Sequence, residues 1–288
     1  MLPARREAEA MKRHNPWLSV LMWTLISFAT LFPIYWLFVI SVKQPFDLFS
    51  TPDVVLRSFF WKNYQDVLTN ETLRRYMLNS LIISSGNALL VTTLGFLACY
   101  ALTRFDLAGK ESIFFWTITN RMAPPAVFLL PLFLLLTQVY RIGDFSLADS
   151  RLGMILVYCS FNLPFAIWTL RPTVESIPKE LDEAAYMDGA SPWMVLYDIV
   201  FPLARPGLAV TLILTWVFAW NEYLLAATLT NFNARTLTTG LSEYVTTTGT
   251  AWGIMAAISM LTLIPALIVF SVVQRHIVAG LTFGAVKG

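Results

Sequence analysis

Charge is missing from long stretches of this chain. Between Arg13 and Lys43 lie 29 consecutive residues without Asp, Glu, Lys or Arg, and between Arg75 and Arg104 lie 28. Arg121 to Arg141 and Arg151 to Arg171 each enclose 19, Arg205 to Glu222 encloses 16, and Glu243 to Arg275 encloses 31. After Glu222 the apolar run resumes at Tyr223. A helix that crosses a bilayer needs about 20 apolar residues. A soluble protein can hide one such run in its core. Six runs in 288 residues leave too little chain to cover them. The pattern predicts an all-α, polytopic membrane protein with six transmembrane helices, near residues 17–42, 77–102, 113–139, 152–170, 207–230 and 251–274.

Composition agrees. The chain is 57% hydrophobic and 13% charged, with a formal charge of +2. That charged share is about half of what soluble domains carry. Disordered chains need the opposite balance. A nucleic-acid binder needs a basic field that +2 does not supply. Two cysteines, Cys99 and Cys159, make no disulfide framework, and both fall inside spans as small packing residues. The first apolar run exceeds the roughly 7–15 residues of a signal-peptide core and is read as a retained helix. The domains are then an N-terminal segment (1–16), the transmembrane domain (17–274) and a C-terminal tail (275–288).

An even number of spans puts both termini on one side. Lys plus Arg number 11 in the loops on that side and 8 on the other, a bias toward cytoplasmic termini.

One loop on the terminal side, residues 171–206, is too long to lack structure. Ser176-Ile-Pro178 starts a helix over Lys179–Asp188, whose first turns hold Glu180, Asp182 and Glu183 beside the positive end of the dipole. Gly189 supplies the left-handed residue that closes it. Ser191-Pro192 starts a second helix over Trp193–Phe201, which Pro202 and Pro206 should end before span 5. The loop carries many apolar residues: Leu181, Ala184, Ala185, Met187, Trp193, Val195, Leu196 and Ile199. They cover either a partner or the protein's own helix ends.

The sequence Glu183-Ala184-Ala185-x-x-x-Gly189, nine residues, then Ile199-x-Phe201-Pro202 resembles the cytoplasmic signature of ABC importer permeases. That family has Leu where Phe201 stands. Residues 176–191, Pro124-Pro125 through Pro131, Trp220-Asn221-Glu222-Tyr223 and the tail from Gly280 are similar to the carbohydrate branch, and to its maltose-type second component. The resemblance covers the whole chain. It implies that 171–206 is a coupling-helix pair docking into a cytoplasmic ATPase. Glu183, Ala184, Ala185, Asp188, Gly189, Ile199 and Pro202 would form the coupling set, with Glu183 making polar contact, Gly189 the turn and the two alanines a slim helix. It further implies a homologous second permease subunit, an ATPase dimer and an extracytoplasmic sugar-binding protein as partners. The chain would bind no cofactor itself; ATP and Mg would be used by the ATPase. The location would be the bacterial inner membrane. The tail, 280–288, would reach toward the ATPase.

Polar residues inside spans are costly and mark either a path or a clamp. Asn221 and Glu222 fall roughly 22–24 Å along span 5 at about 1.5 Å per residue. They line either the path or a helix–helix contact. Asn162, beside Pro164, lies near the midplane of span 4, and Asn120 precedes Pro124-Pro125 in span 3. Trp168, Trp220 and Tyr223 are candidates for stacking on a sugar, or for packing.

No phosphate-binding loop, nucleophile elbow or metal-ligand spacing is present in the sequence. The chain is therefore expected to be a transport subunit and no enzyme. An ion-coupled secondary transporter is the alternative. It predicts paired intramembrane carboxylates or an inverted repeat, and only Glu222 stands inside a span.

Overall fold

A computed structural model describes residues 16–50, 59–139, 141–142, 145–247 and 249–284. Its helices are α1 (Pro16–Ser41), α2 (Lys62–Thr69), α3 (Glu71–Arg104), α4 (Lys110–Met122), α5 (Leu129–Leu134), α6 (Arg151–Glu175) and α7 (Lys179–Met187). They continue with α8 (Pro192–Asn221), α9 (Leu224–Leu229), α10 (Leu237–Ser242) and α11 (Trp252–Gly284). In the loop before α6, a two-residue ladder pairs Arg141 with Ser146 and Ile142 with Phe145. The fold is all-α, as expected.

Among the described residues, five helices are long and apolar enough to cross a bilayer: Trp17–Ser41, Glu71–Arg104, Arg151–Glu175, Pro192–Asn221 and Trp252–Gln274. The third span, expected as one helix near 113–139, is broken. It is a pair, Lys110–Asn120 and Pro125–Val139, bent by 94°. The cause is Pro124-Pro125. Neither residue has an N–H to donate, and each disfavours the helical region for the residue before it. Ala123 accordingly turns extended, at φ −71° and ψ 124°.

The fifth span differs at both ends. Pro202 and Pro206 do not end the second loop helix; α8 runs through both as one 30-residue helix. Its backbone widens to an i→i+5 turn over Val195–Val200, just before Pro202. Membrane helices tolerate proline through such local adjustments. At the other end α8 stops at Asn221, because Glu222 is extended (φ −68°, ψ 131°), and α9 starts afresh. The expected span 207–230 is therefore two helices. The last helix continues past the expected end at 274 to Gly284. The tail side chains, including those of 280–288, lie outside the described residues.

The chain forms two compact units, 1–67 with 247–261, and 68–246 with 262–288. In the first, Asn63 Nδ2 donates to the Ser41 and Lys43 carbonyls at 2.9 and 3.3 Å, closing the end of α1. A Cβ on Gly253 would stand 2.7 Å from the same Asn63 amide, so the start of α11 requires glycine there.

In the second unit α3 is the central helix. Asn70 caps it by accepting the Thr72 and Leu73 N–H groups at 2.9 and 3.2 Å. Its inward face carries Asn79, Ser84 and Asn87, all fully buried, among Ile83, Ala88, Val91 and Cys99. Gly95 lets α3 approach α6 closely; a Cβ there would lie 2.9 Å from Ala166 Cβ. Gly207 does the same for α8, against Thr173.

Candidate functional site

The loop between α6 and α8 is a short helix standing on the ends of the spans. Gly189 has φ +87°, with open space where a Cβ would go, so the position needs glycine for its backbone conformation. The closing bonds are Gly189 N–H to the Tyr186 carbonyl at 3.0 Å and Ala190 N–H to the Ala185 carbonyl at 2.9 Å. They satisfy carbonyls that the helix end leaves free. Ser191 then caps α8, accepting the Met194 N–H at 3.3 Å.

The apolar residues of this loop divide into two sets. Val195 and Leu196 are buried with Phe96, Cys99, Tyr100, Leu170, Val174, Ile177, Val200 and Ala204. They glue the loop to its own spans. Leu181, Met187, Trp193 and Tyr197 are exposed; Met187 is 88% exposed and Trp193 63%. Trp193 stacks on Tyr197 with centroids 6.3 Å apart. Glu183, Ala184, Asp188 and Gly189 are exposed beside them, and Ala185, Ile199 and Pro202 are half-buried. Packing on the protein's own helix ends thus accounts for Val195 and Leu196, and leaves the exposed set uncovered. The remaining patch is apolar, with acidic groups at its edge.

Within the spans, a cavity of about 300 Å³ is lined by Asn120, Tyr158, Phe161, Asn162, Phe218 and Glu222. It sits where span 3 is broken, facing α6 and α8. Asn162 Nδ2 donates to Asn87 Oδ1 at 2.8 Å, and Asn87 Nδ2 to the Ile155 carbonyl at 3.0 Å. Glu222 accepts the Tyr158 hydroxyl at 2.9 Å and the Leu225 and Ala226 N–H groups at 2.8 and 3.1 Å. Its own carbonyl accepts from Thr238 Oγ1 at 2.7 Å. The carboxylate therefore clamps α9 and α6 while forming part of the cavity wall.

Three of the six path candidates, Asn120, Asn162 and Glu222, meet at this cavity. The other three do not. Trp220 is buried, stacked on Trp216 at 4.8 Å, and Trp216 donates to Ser85 Oγ at 3.1 Å. Asn221 Nδ2 bonds back to the Val217 carbonyl at 2.8 Å. Tyr223 is exposed outside the wall. Trp168 is also exposed, with its neighbours near Arg171 and Glu175.

The opposite end of this unit holds a clasp that the sequence reading missed. Asp149 accepts four successive N–H groups, from Asn231, Phe232, Asn233 and Ala234, at 3.0, 3.0, 2.8 and 3.1 Å. Burial alone would raise its carboxyl; the four donors outweigh burial and hold it below the ordinary range. Asn79 Nδ2 donates to the Asn233 and Arg235 carbonyls at 2.8 Å each, while Asn79 Oδ1 accepts from Arg151 Nε at 2.8 Å. The polar residues Asn79, Ser80, Ser84 and Asn87 recur at helical spacing in an apolar run, which was a legible sign of an inward face.

Residues 92–282 match the family described as binding-protein-dependent transport system inner membrane component. The chain belongs to that family. The resemblance read from residues 183–202 is borne out, and a family member of this kind is a multi-pass transport subunit, not an enzyme. The chain is 34% identical to the trehalose transport system permease protein SugB of Mycobacterium tuberculosis, covering 92% of this chain and 95% of that one. It is 32% identical to the trehalose/maltose transport system permease protein MalG of Thermococcus litoralis, over 92% and 94%. Its fold is similar to a chain of a bacterial ABC transporter involved in the import of the acidic polysaccharide alginate. The TM-score is 0.75 and the identity 21%, over 93% of this chain and 98% of that one.

Proposed function

We propose that this inner membrane component is one permease half of an ATP-driven ABC importer that moves a sugar or sugar derivative. A homologous permease subunit completes the pathway, an extracytoplasmic binding protein delivers the solute, and two ATPase copies hold the ATP and Mg. The exposed pair α7 and the start of α8 docks on the ATPase, with Glu183 and Asp188 as its polar edge. Both termini then lie in the cytoplasm, and the Asp149 clasp faces the binding protein. The observation that carries the reading is the division of the loop: Val195 and Leu196 are buried against the chain's own spans, while Met187, Trp193 and Tyr197 are left open to a partner.

The sugar assignment draws on the trehalose- and maltose-transporting relatives and on the cavity. Amides of Asn120 and Asn162 beside the rings of Tyr158, Phe161 and Phe218 suit a hydroxylated solute with apolar ring faces. The test is uptake of labelled disaccharides into proteoliposomes carrying the complete complex. Uptake that requires both ATP and the binding protein is the expected result. ATP-independent uptake driven by an ion gradient would overturn it.

A further inference from the structure

Among the ion pairs of the described residues, one is enclosed. Arg104 Nε stands 2.7 Å from Asp182 Oδ2, with side chains 5% and 7% exposed. Arg104 is the last residue of α3, and Asp182 lies in the coupling helix α7, immediately before the exposed Glu183. Successive helical residues point about 100° apart, so the two carboxylates leave α7 in different directions. The same guanidinium donates through Nη2 to the Ile177 carbonyl at 2.9 Å, at the turn that leads into α7. One turn earlier on α3, the Tyr100 hydroxyl donates to the Pro192 carbonyl at 3.4 Å, at the start of α8. Tyr100 also packs with Val174, Ile177, Val195 and Leu196. The end of span 2 thus grips the coupling loop at its beginning and its end, although the chain joins that loop only to spans 4 and 5.

Enclosing an ion pair is a poor way to gain stability, and its best-attested use is to fix one arrangement among several. We propose that Arg104 and Asp182 are positioning residues that make span 2 the receiving lever of the coupling helices, so that α7 and the end of α3 move as one body during turnover. Asp182 acts through Arg104 and touches no ATPase; Glu183, its neighbour, makes that contact. The inference rests on the docking reading above.

The test uses the complete complex in proteoliposomes and reads solute moved per ATP hydrolysed. Asp182→Asn should retain the ATPase on co-purification while this ratio falls by at least about fivefold, the lower range for coupling between two sites. Asp182→Glu, which keeps a carboxylate toward Arg104, should restore most of the ratio. An unchanged ratio, or loss of ATPase in step with transport, overturns the lever. A second measurement leaves the pair intact. Spin labels at Asp106→Cys and Glu180→Cys should keep their separation between the nucleotide-free and ATP-trapped complexes. A change exceeding about 5 Å, one helical turn, with the ATPase still bound overturns the lever alone. A wild-type complex that never retains the ATPase overturns the docking reading instead.

Discussion

Tyr158 donates its hydroxyl hydrogen to Glu222 Oε2 at 2.9 Å, joining α6 to the break between α8 and α9. The same carboxylate caps α9 through Leu225 and Ala226. Removing it strands three donors in an apolar setting. Glu222→Ala should destabilise the purified protein by about 2–4 kcal/mol, since single bonds to a charged acceptor contribute about 1.5–3. Glu222→Gln keeps one acceptor oxygen and should cost less. Thermal unfolding in detergent measures both, and equal losses for the two variants would contradict this role.

Asp149 gives a pH dependence with a definite sign. Its carboxyl is held below the ordinary value of 3.8 by the four N–H groups of residues 231–234. A group whose folded value is depressed adds stability above its unfolded value and loses it as pH falls through the folded one. The wild type should therefore lose melting temperature on acidification from about pH 5 to below 3.8, and Asp149→Asn should lose less. At neutral pH Asp149→Asn should already be less stable, because one carbonyl oxygen replaces two carboxylate oxygens among four donors. A wild type and variant with parallel pH profiles would count against the clasp.

Gly95 faces Ala166 across the contact of α3 with α6, at the 2.9 Å separation its Cβ would have. Gly95→Ala should cost about 1–3 kcal/mol, the usual range for overpacking. Adding Ala166→Gly should return most of it. A single variant as stable as wild type in thermal unfolding would show that the two helices are free to part.

The spans, the loop helix and its glycine hinge were legible because absence of charge, caps and glycine act locally. Gly189 needed only its place after Asp188. The break of span 3 was written in Pro124-Pro125, yet a hydropathy run passes over it, since proline costs little on a hydrophobic scale while removing two backbone donors. The continuity of α8 through Pro202 and Pro206 was hidden for the opposite reason: tertiary packing of Val195, Leu196, Val200 and Ala204 overrides the local proline signal. Trp220 and Asn221 stood next to Glu222 in sequence, but a helix spreads neighbours around its axis. Only Glu222 reaches the cavity, where Tyr158 and Asn162 arrive from another helix. Asp149 offered no sequence signal at all, because its four partners lie some 80 residues away.

The central claim is that the exposed side of α7 is an ATPase-docking surface. Glu183→Lys changes one exposed charge there and leaves the Arg104–Asp182 pair and the buried core untouched. The decisive measurement is co-purification of the ATPase with this variant from membranes in which it is inserted at wild-type levels. The account predicts that the ATPase is lost and that binding-protein-dependent uptake falls with it. An ATPase retained in full amounts on the Glu183→Lys protein would contradict it.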